Sequence, residues 1–567
     1  MGFIRYKNFE QLSLADILVY ESIPPHPFWD KVSEVVDFSF IDKICEPLYS
    51  PLGQRPYAPS LKLKIHLVQR YYDISDREME LKIIGDIFLK RFLGLPITHN
   101  RFDHSTIARD RDRLGAEMIH AAHVFILAQA LEKGLWGEQD DRWLVDSFHT
   151  NARVSTPGTY ELIQQAADPV LRLIKKRNAQ RYEFLSRQMD VSDFTRKLKN
   201  TMPKRERNLA LSKLVVQSYS LVAWMERLDI EHQFPWRSEE DQQKSDANCE
   251  VLLRVLRENT TEAPPEEGSS GKPEDAANGP DVECSATDNP EQIRFVALAK
   301  DKRPTDGVIN AYDPEIRCGY KSSSRKFIGD KVQVLESAKS KLVLQAEPIP
   351  GNEPDGKALY DIVQSVVEEF GLRPLEVVAD KGYAWGKNFQ RLKQKNLTLV
   401  APPEKVVNST GRIPNTEFTY SPEEHTVTCP EGHSPASSHR SKAYDGTQYI
   451  FAKVTCEACP LYEECVGTRS TKKKIGRTVF FSDYWPLLQE ARAYINTDSG
   501  KAALGERYEI ERTNNEMKRH HGLREPRTRG RQKLRLTVKM TTIVVNLKRM
   551  VKALTGPPRL NKAPVCP

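Results

Sequence analysis

Trp143-Leu-Val-Asp-Ser-Phe-His149 is a short apolar run that ends on a carboxylate, a serine, a phenylalanine and a histidine. A run of this length is too short for an independent helix and predicts a strand. Downstream, Phe327–Glu336 and Lys341–Ala346 alternate apolar and polar residues around Ala338-Lys-Ser340, which predicts a hairpin. Leu359, Ile362, Val363, Val366, Val367 and Phe370 recur at helical spacing and stop at Gly371. Leu375–Asp380 reads as a short buried strand, Trp385–Lys395 as a helix and Leu397–Ala401 as another strand. A long helix is expected over Ala502–His521.

The element order is therefore strand, insertion, hairpin, helix, strand, helix, strand, insertion, helix. That is an α/β order, the one of the ribonuclease-H-like fold, a mixed sheet flanked by helices. Around it the domain organisation is expected as follows. Residues 1–135 form an N-terminal helical DNA-binding domain, and 140–155 carry the first strand of the catalytic core. Residues 156–257 are a helical insertion and 258–291 a disordered acidic linker. The core continues over 305–401, a cysteine-rich zinc-binding-type insertion fills 402–495, the core's C-terminal helices span 500–555 and 556–567 are a tail. Within the first part, Ser75-Asp-Arg-Glu78 reads as a capping box and Ser105 as the cap of a short helix, Thr106–Leu114, that stops at Gly115.

A chain of 567 residues has room for about three to five such units. Only 39% of its residues are hydrophobic, so folded cores are expected beside some unstructured chain. Between Glu258 and Glu291 ten acidic residues face one lysine, and large apolar residues are almost absent. Such a segment cannot bury enough surface to offset its ordering entropy. Lys501–Pro567 has the opposite balance, 17 Lys/Arg against 5 Glu, which suits a polyanionic partner. The apolar run Ala121–Leu131, interrupted by His123 and Gln129, is short for a bilayer span, and Met1–Lys7 lacks a signal-peptide core, so a cytoplasmic, nucleoid-associated protein is expected. Nine cysteines, four of them within 429–465, suggest a reducing compartment and one metal site, not a disulfide framework.

Three acidic residues stand at positions where α/β sheets gather their sites. Asp146 and Asp380 close two strands, and Glu511 lies in the last core helix. Three convergent carboxylates suit hard cations such as Mg²⁺, two of which can stabilise the attacking and leaving oxygens of a phosphoryl displacement. At about 100° per residue, Arg507 and Lys518 share the face of Glu511. Both would hold phosphate there, although Arg507 and Glu511 also suit a plain i,i+4 ion pair.

Arg507-x3-Glu511-x6-Lys518 resembles the Tyr-x2-Arg-x3-Glu-x6-Lys signature of bacterial insertion-sequence DDE transposases. Val145-Asp-Ser147, Ala379-Asp-Lys-Gly-Tyr383 and Asn546-Leu-Lys-Arg549 extend the resemblance, as do Asp103-His-Ser-Thr-Ile107, Arg111-Asp-Arg-Leu114 and Asp313-Pro-Glu-Ile-Arg317. It covers roughly 50–155 and 305–555. Leu504 departs from the signature at the tyrosine, and Asp330 stands where relatives usually carry an aromatic residue before the lysine. The resemblance implies Mg²⁺-dependent cleavage and strand transfer, with Mn²⁺ as substitute, by Asp146, Asp380 and Glu511. It also implies double-stranded DNA as partner and a homodimer assembled on that DNA. A non-catalytic, domesticated DNA-binding relative and a metal-dependent nuclease without strand transfer remain as alternatives.

Two further clusters carry expectations. Cys429-Pro-Glu-Gly-His433, Cys456-Glu-Ala-Cys459 and Cys465 have the spacing of a tetrahedral Zn²⁺ site, with Cys429, Cys456, Cys459 and Cys465 as ligands and His433 as an alternate. The arginines Arg524, Arg527, Arg529 and Arg531 follow the Glu511 helix and are expected to contact DNA phosphates. Beyond them, Leu534–Leu554 is apolar on one side, which places Val538 and Ile543 in the core.

Overall fold

A computed structural model describes residues 4–7, 9, 12–50, 52–199, 201–230, 238–264, 292–322, 324–404, 411–467 and 476–556. Its centre is a mixed sheet with helices on both faces. The strands are β1 (Arg142–His149), β2 (Arg317–Ser322), β3 (Arg325–Ser337), β4 (Val343–Pro350), β5 (Glu376–Val378) and β6 (Leu399–Val400). Their order is β2-β3-β1-β5-β6, with β4 also on β3. β3 runs antiparallel to β1, β2 and β4, whereas β1, β5 and β6 are parallel. The expected hairpin is β3–β4. Strand β2 was not expected from the sequence, because Arg317-Cys-Gly-Tyr-Lys-Ser322 has no clear apolar alternation; the partner strand forms it. Gly329 of β3 marks a close approach to the chain just past β1: a Cβ there would collide with the Thr150 carbonyl.

Alternation along β1 sorts its side chains between two cores. Trp143 and Val145 join Leu335, Val377 and Ala379 against helix α2 (Leu359–Phe370), which ends on Gly371 at φ 67°, and helix α3 (Gly386–Gln394). Leu144 and Phe148 join Val332, Val334 and Val378 against Ile510 and Met517 of helix α4 (Tyr508–His520). Burying each of those last two side chains is worth roughly 1.5–3 kcal/mol, which fixes α4 across this face. The expected single helix over 502–521 is two, Asp498–Glu506 and α4, meeting at Arg507.

The N-terminal helices share the first core. Trp29, Leu63, Met79 and Ile126 pack in one cluster with Val145 and with Met540 and Ile543 of the last helix, α5 (Arg531–Thr555). The apolar face of α5 is thus buried as expected, Val538 and Ile543 included. Ser75 forms the capping box with Glu78. The other cap differs: Asp103, not Ser105, accepts from the Ser105 and Thr106 amides of helix α1 (His104–Glu132), which is broken at Gly115 (φ 66°, ψ 173°), where the short helix was expected to stop, and resumes beyond it. Aspartate outcompetes serine because its charged oxygen takes both amides. By length and composition this helix could cross a bilayer, but Ile119, Ala122, Ile126, Leu127 and Ala130 are buried against the protein's own core.

Two insertions carry cores of their own. Thr159–Arg177, Lys204–Ile230 and Glu239–Asn259 enclose Ile163, Leu214, Val255 and Leu256. The start of the acidic segment belongs to this unit: Glu258 accepts from the Val308 amide, and Thr260–Glu262 pairs with Phe295–Ala297. Residues 265–291, the bulk of the expected disordered linker, lie outside the described residues. The second insertion encloses Phe418, Val427, Tyr449, Phe451, Val479 and Phe481.

Candidate active site

Asp146 has the parity of Leu144 and Phe148, and Asp380 that of Val378. Both therefore lie on the α4 side of adjacent parallel strands, Asp146 in the C-terminal half of β1, which runs on to His149, and Asp380 two residues past β5. Each is engaged by a protein donor. Asp146 Oδ2 accepts from Asn514 Nδ2 at 3.0 Å, and Asp380 Oδ1 from the Gly382 amide at 2.7 Å. Glu511 Oε1 accepts from Arg507 Nη2 at 3.2 Å. Burial pushes the Asp146 carboxyl up to about 6; Ser147 and Arg507 oppose this, while the charges of Asp380 and Glu511 add to it. The carboxylates thus sense one another. Even so, among the described residues no three His, Cys, Asp or Glu side chains are grouped closely enough to hold a metal ion as placed. The donor set is nevertheless all carboxylate oxygen, the chemistry a hard cation requires.

Asn514 escaped sequence reading. Its only signal is position, three residues past Glu511 and so on the neighbouring part of one helix face. Lys321 escaped too, because it sits on the unexpected β2. With Lys518, Arg519 and Arg524 it forms a cationic group around the end of β1. Burial, then the charges of Lys321, Arg524 and Arg519, lower the Lys518 ammonium; burial, then Lys518, Lys321 and Arg524, lower the His149 imidazole. The Lys518 ammonium also lies 5.9 Å from the centre of the Phe148 ring.

The basic run after α4 is less available than the sequence suggested. Arg527 donates to the Asp73 carbonyl at 3.1 Å and lies 3.8 Å from Glu78. Arg531 pairs with Asp330 at 3.2 Å and Glu315 at 3.8 Å. Arg535 pairs with Glu347 at 2.9 Å. These guanidiniums tie the loop to the N-terminal helices and to the sheet. Arg524 and Arg529 remain exposed. Asp330, at the position usually aromatic in the resemblance, is buried, and its carboxyl is pushed up to about 6 by burial against the opposing Arg531. Leu504, at the signature tyrosine, packs on the α4-side core, while Arg507 stacks on the exposed Tyr508 ring at 4.9 Å.

In the second insertion Cys429, Cys456, Cys459 and Cys465 line one pocket with His433, Phe418 and Arg477. All four are free thiols. Burial raises Cys456 and Cys465, Arg477 opposes it, and the other thiols of the set add to it. Backbone amides already point at sulfur: His433 N donates to Cys429 Sγ at 3.3 Å and Arg477 N to Cys456 Sγ at 3.4 Å. Two tight turns, with Gly432 N on Cys429 O and Cys459 N on Cys456 O, aim the pairs.

The arrangement is a carboxylate-centred site in a basic surface, set on a mixed α/β sheet. Comparison with known families gives two matches. A transposase DDE domain family matches residues 428–551, and a transposase domain family (DUF772) matches residues 18–113. Together they support an insertion-sequence DDE transposase and indicate a transposase function. The first match contains Glu511 and the four cysteines; Asp146 and Asp380 lie outside both. No curated protein and no solved structure matches the chain.

Proposed function

We propose that the protein cuts DNA at the ends of an insertion element and joins those ends to target DNA, on a ribonuclease-H-like core. The observation that carries this reading is the position of Asp146 on β1 and of Asp380 just past the adjacent parallel β5, both on the side of the helix that bears Glu511. The three carboxylates would hold two Mg²⁺ ions, or Mn²⁺ in their place. When bound, such ions polarise the scissile phosphodiester and favour the oxyanions formed in its displacement. Arg507 steadies Glu511 through their ion pair. Lys518 and Arg524, joined by Lys321 and by Arg529 further along the loop, hold phosphates by charge. Arg527 and Arg531 order that loop by their ion pairs and contact DNA only at its margin.

The cysteine set supports a structural Zn²⁺. Cys429, Cys456 and Cys459 on two tight turns and Cys465 at the end of a short helix, two of the four with amides already donating to sulfur, have the donor chemistry of a thiolate zinc site. The insertion's own core of six buried side chains is small enough to need such a staple. The N-terminal helices would bind double-stranded DNA, and two chains would act on paired ends.

Supercoiled plasmid bearing candidate element ends tests the reading. With Mg²⁺ the protein should nick at the ends and yield joined products. Binding without cleavage under any divalent cation would leave only a DNA-binding protein.

A further inference from the structure

Asn514 is buried on the face of α4 turned toward the sheet. Its Nδ2 donates to Asp146 Oδ2 at 3.0 Å. An ionised carboxylate can only accept, so this contact fixes the amide: NH₂ toward Asp146, Oδ1 away. That Oδ1 is then buried without a hydrogen-bond partner. A buried carbonyl with no donor lowers stability; leucine, of nearly the same shape, would remove that carbonyl, but at the cost of the amide donor to Asp146 Oδ2. Its neighbours on that face, Ile510, Thr513 and Met517, are buried too, so an apolar residue would suit the position. What the amide gives in return for its stranded oxygen is the hydrogen bond to Asp146.

We propose that Asn514 is a positioning residue for Asp146. The proposal rests on the reading of Asp146 as a metal-binding carboxylate. Asp146 lies within β1 in a poorly solvated place, where water does not hold its rotamer. Asn514 holds one of its oxygens with a donor that carries no charge. A lysine or arginine there would orient the carboxylate equally well but would neutralise it and repel a cation. Arg507, on the same helix, pairs instead with Glu511 at 3.2 Å. Asn514 thus supplies direction without charge, and the carboxylate keeps its full attraction for Mg²⁺. Hydrogen bonds of this kind to ligating groups typically alter metal affinity or activity about 10- to 100-fold.

The test is Asn514→Leu in the full-length protein, with Asn514→Ala as a variant that needs no extra space. Three quantities are read: melting temperature without metal, Mg²⁺ affinity by calorimetry, and nicking of plasmid across a Mg²⁺ titration. Asn514→Leu should melt close to the wild-type temperature, because removing the stranded carbonyl offsets the donor that Asp146 loses. In both variants Mg²⁺ affinity should fall about 10- to 100-fold, and nicking should recover in part as Mg²⁺ is raised. Lower melting temperatures with unchanged Mg²⁺ affinity would make Asn514 a structural residue and overturn the proposal. Asp146→Asn, measured in parallel, separates the two readings. If it leaves Mg²⁺ affinity and nicking intact, the assignment of Asp146 fails. If it abolishes both while Asn514→Leu changes neither, only the positioning role fails.

Discussion

Asn546 pairs with Val343 as a neighbouring strand would. Its Oδ1 accepts from the Val343 amide at 2.8 Å, and its Nδ2 donates to the Val343 carbonyl at 2.9 Å. Val343 opens β4 on the edge of the sheet, so one side chain of α5 satisfies a backbone that has no strand beyond it. The amide also meets His123 Nε2 at 3.2 Å, which joins the last helix, the sheet edge and the N-terminal helix in one buried contact.

Asn546→Leu should therefore destabilise the protein by about 1–3 kcal/mol, since it leaves the buried Val343 amide without an acceptor, while His123 Nε2 stays 3.1 Å from the Val343 carbonyl. Chemical denaturation checks this. A loss below about 0.5 kcal/mol, the scale of a neutral surface change, would show that water replaces the amide.

Alanine at Asp146, Asp380 or Glu511 should abolish cleavage while DNA binding persists, because the cationic group at Lys321, Lys518 and Arg524 is untouched. Glu511→Ala on a pre-cut end isolates joining from hydrolysis. Unimpaired joining there would transfer the role to another acid of the helix, with Glu509 the first to try. Lys321→Ala should instead weaken binding and lower the salt slope by about one for each phosphate it neutralises.

Purified protein should carry about one zinc per chain. Cys456→Ser should lower that content and loosen the second insertion first, since its core holds few large side chains besides Phe418, Phe451 and Phe481. Metal analysis without zinc, together with rapid alkylation of all four native thiols, would exclude the site.

Glu516 gives a pH dependence. Burial alone would raise its carboxyl, but His521, Lys548 and Arg549 beside it bring it down to about 2. A depressed carboxyl stabilises the fold above its unfolded value of 4.5, and that contribution is lost as pH falls through the folded value. Glu516→Gln should thus melt below wild type at pH 7, and the gap should close between about pH 4.5 and pH 2. A gap that stays constant over that window would show that the ion pairs contribute nothing.

What was legible in the sequence was local. Alternation along 143–149 and 327–336, helical spacing over 359–370 and the Gly371 stop each depend on neighbouring residues, and each reappears within a few positions in the structure. The parity of Asp146 against Leu144 followed from the strand itself. The tertiary structure decided what depends on partners far along the chain. Strand β2 exists because β3 pairs with it, and Asn514 reaches Asp146 across 368 positions. The arginines after α4 look alike in sequence, yet Arg531 finds Asp330 while Arg524 faces solvent. A charge shows its type in the sequence, but its partner is set by where the folded chain brings the opposite charge. That is why the composition of 501–567 overstated the free positive surface: Arg527, Arg531, Arg535, Lys539 and Arg549 are matched within the fold.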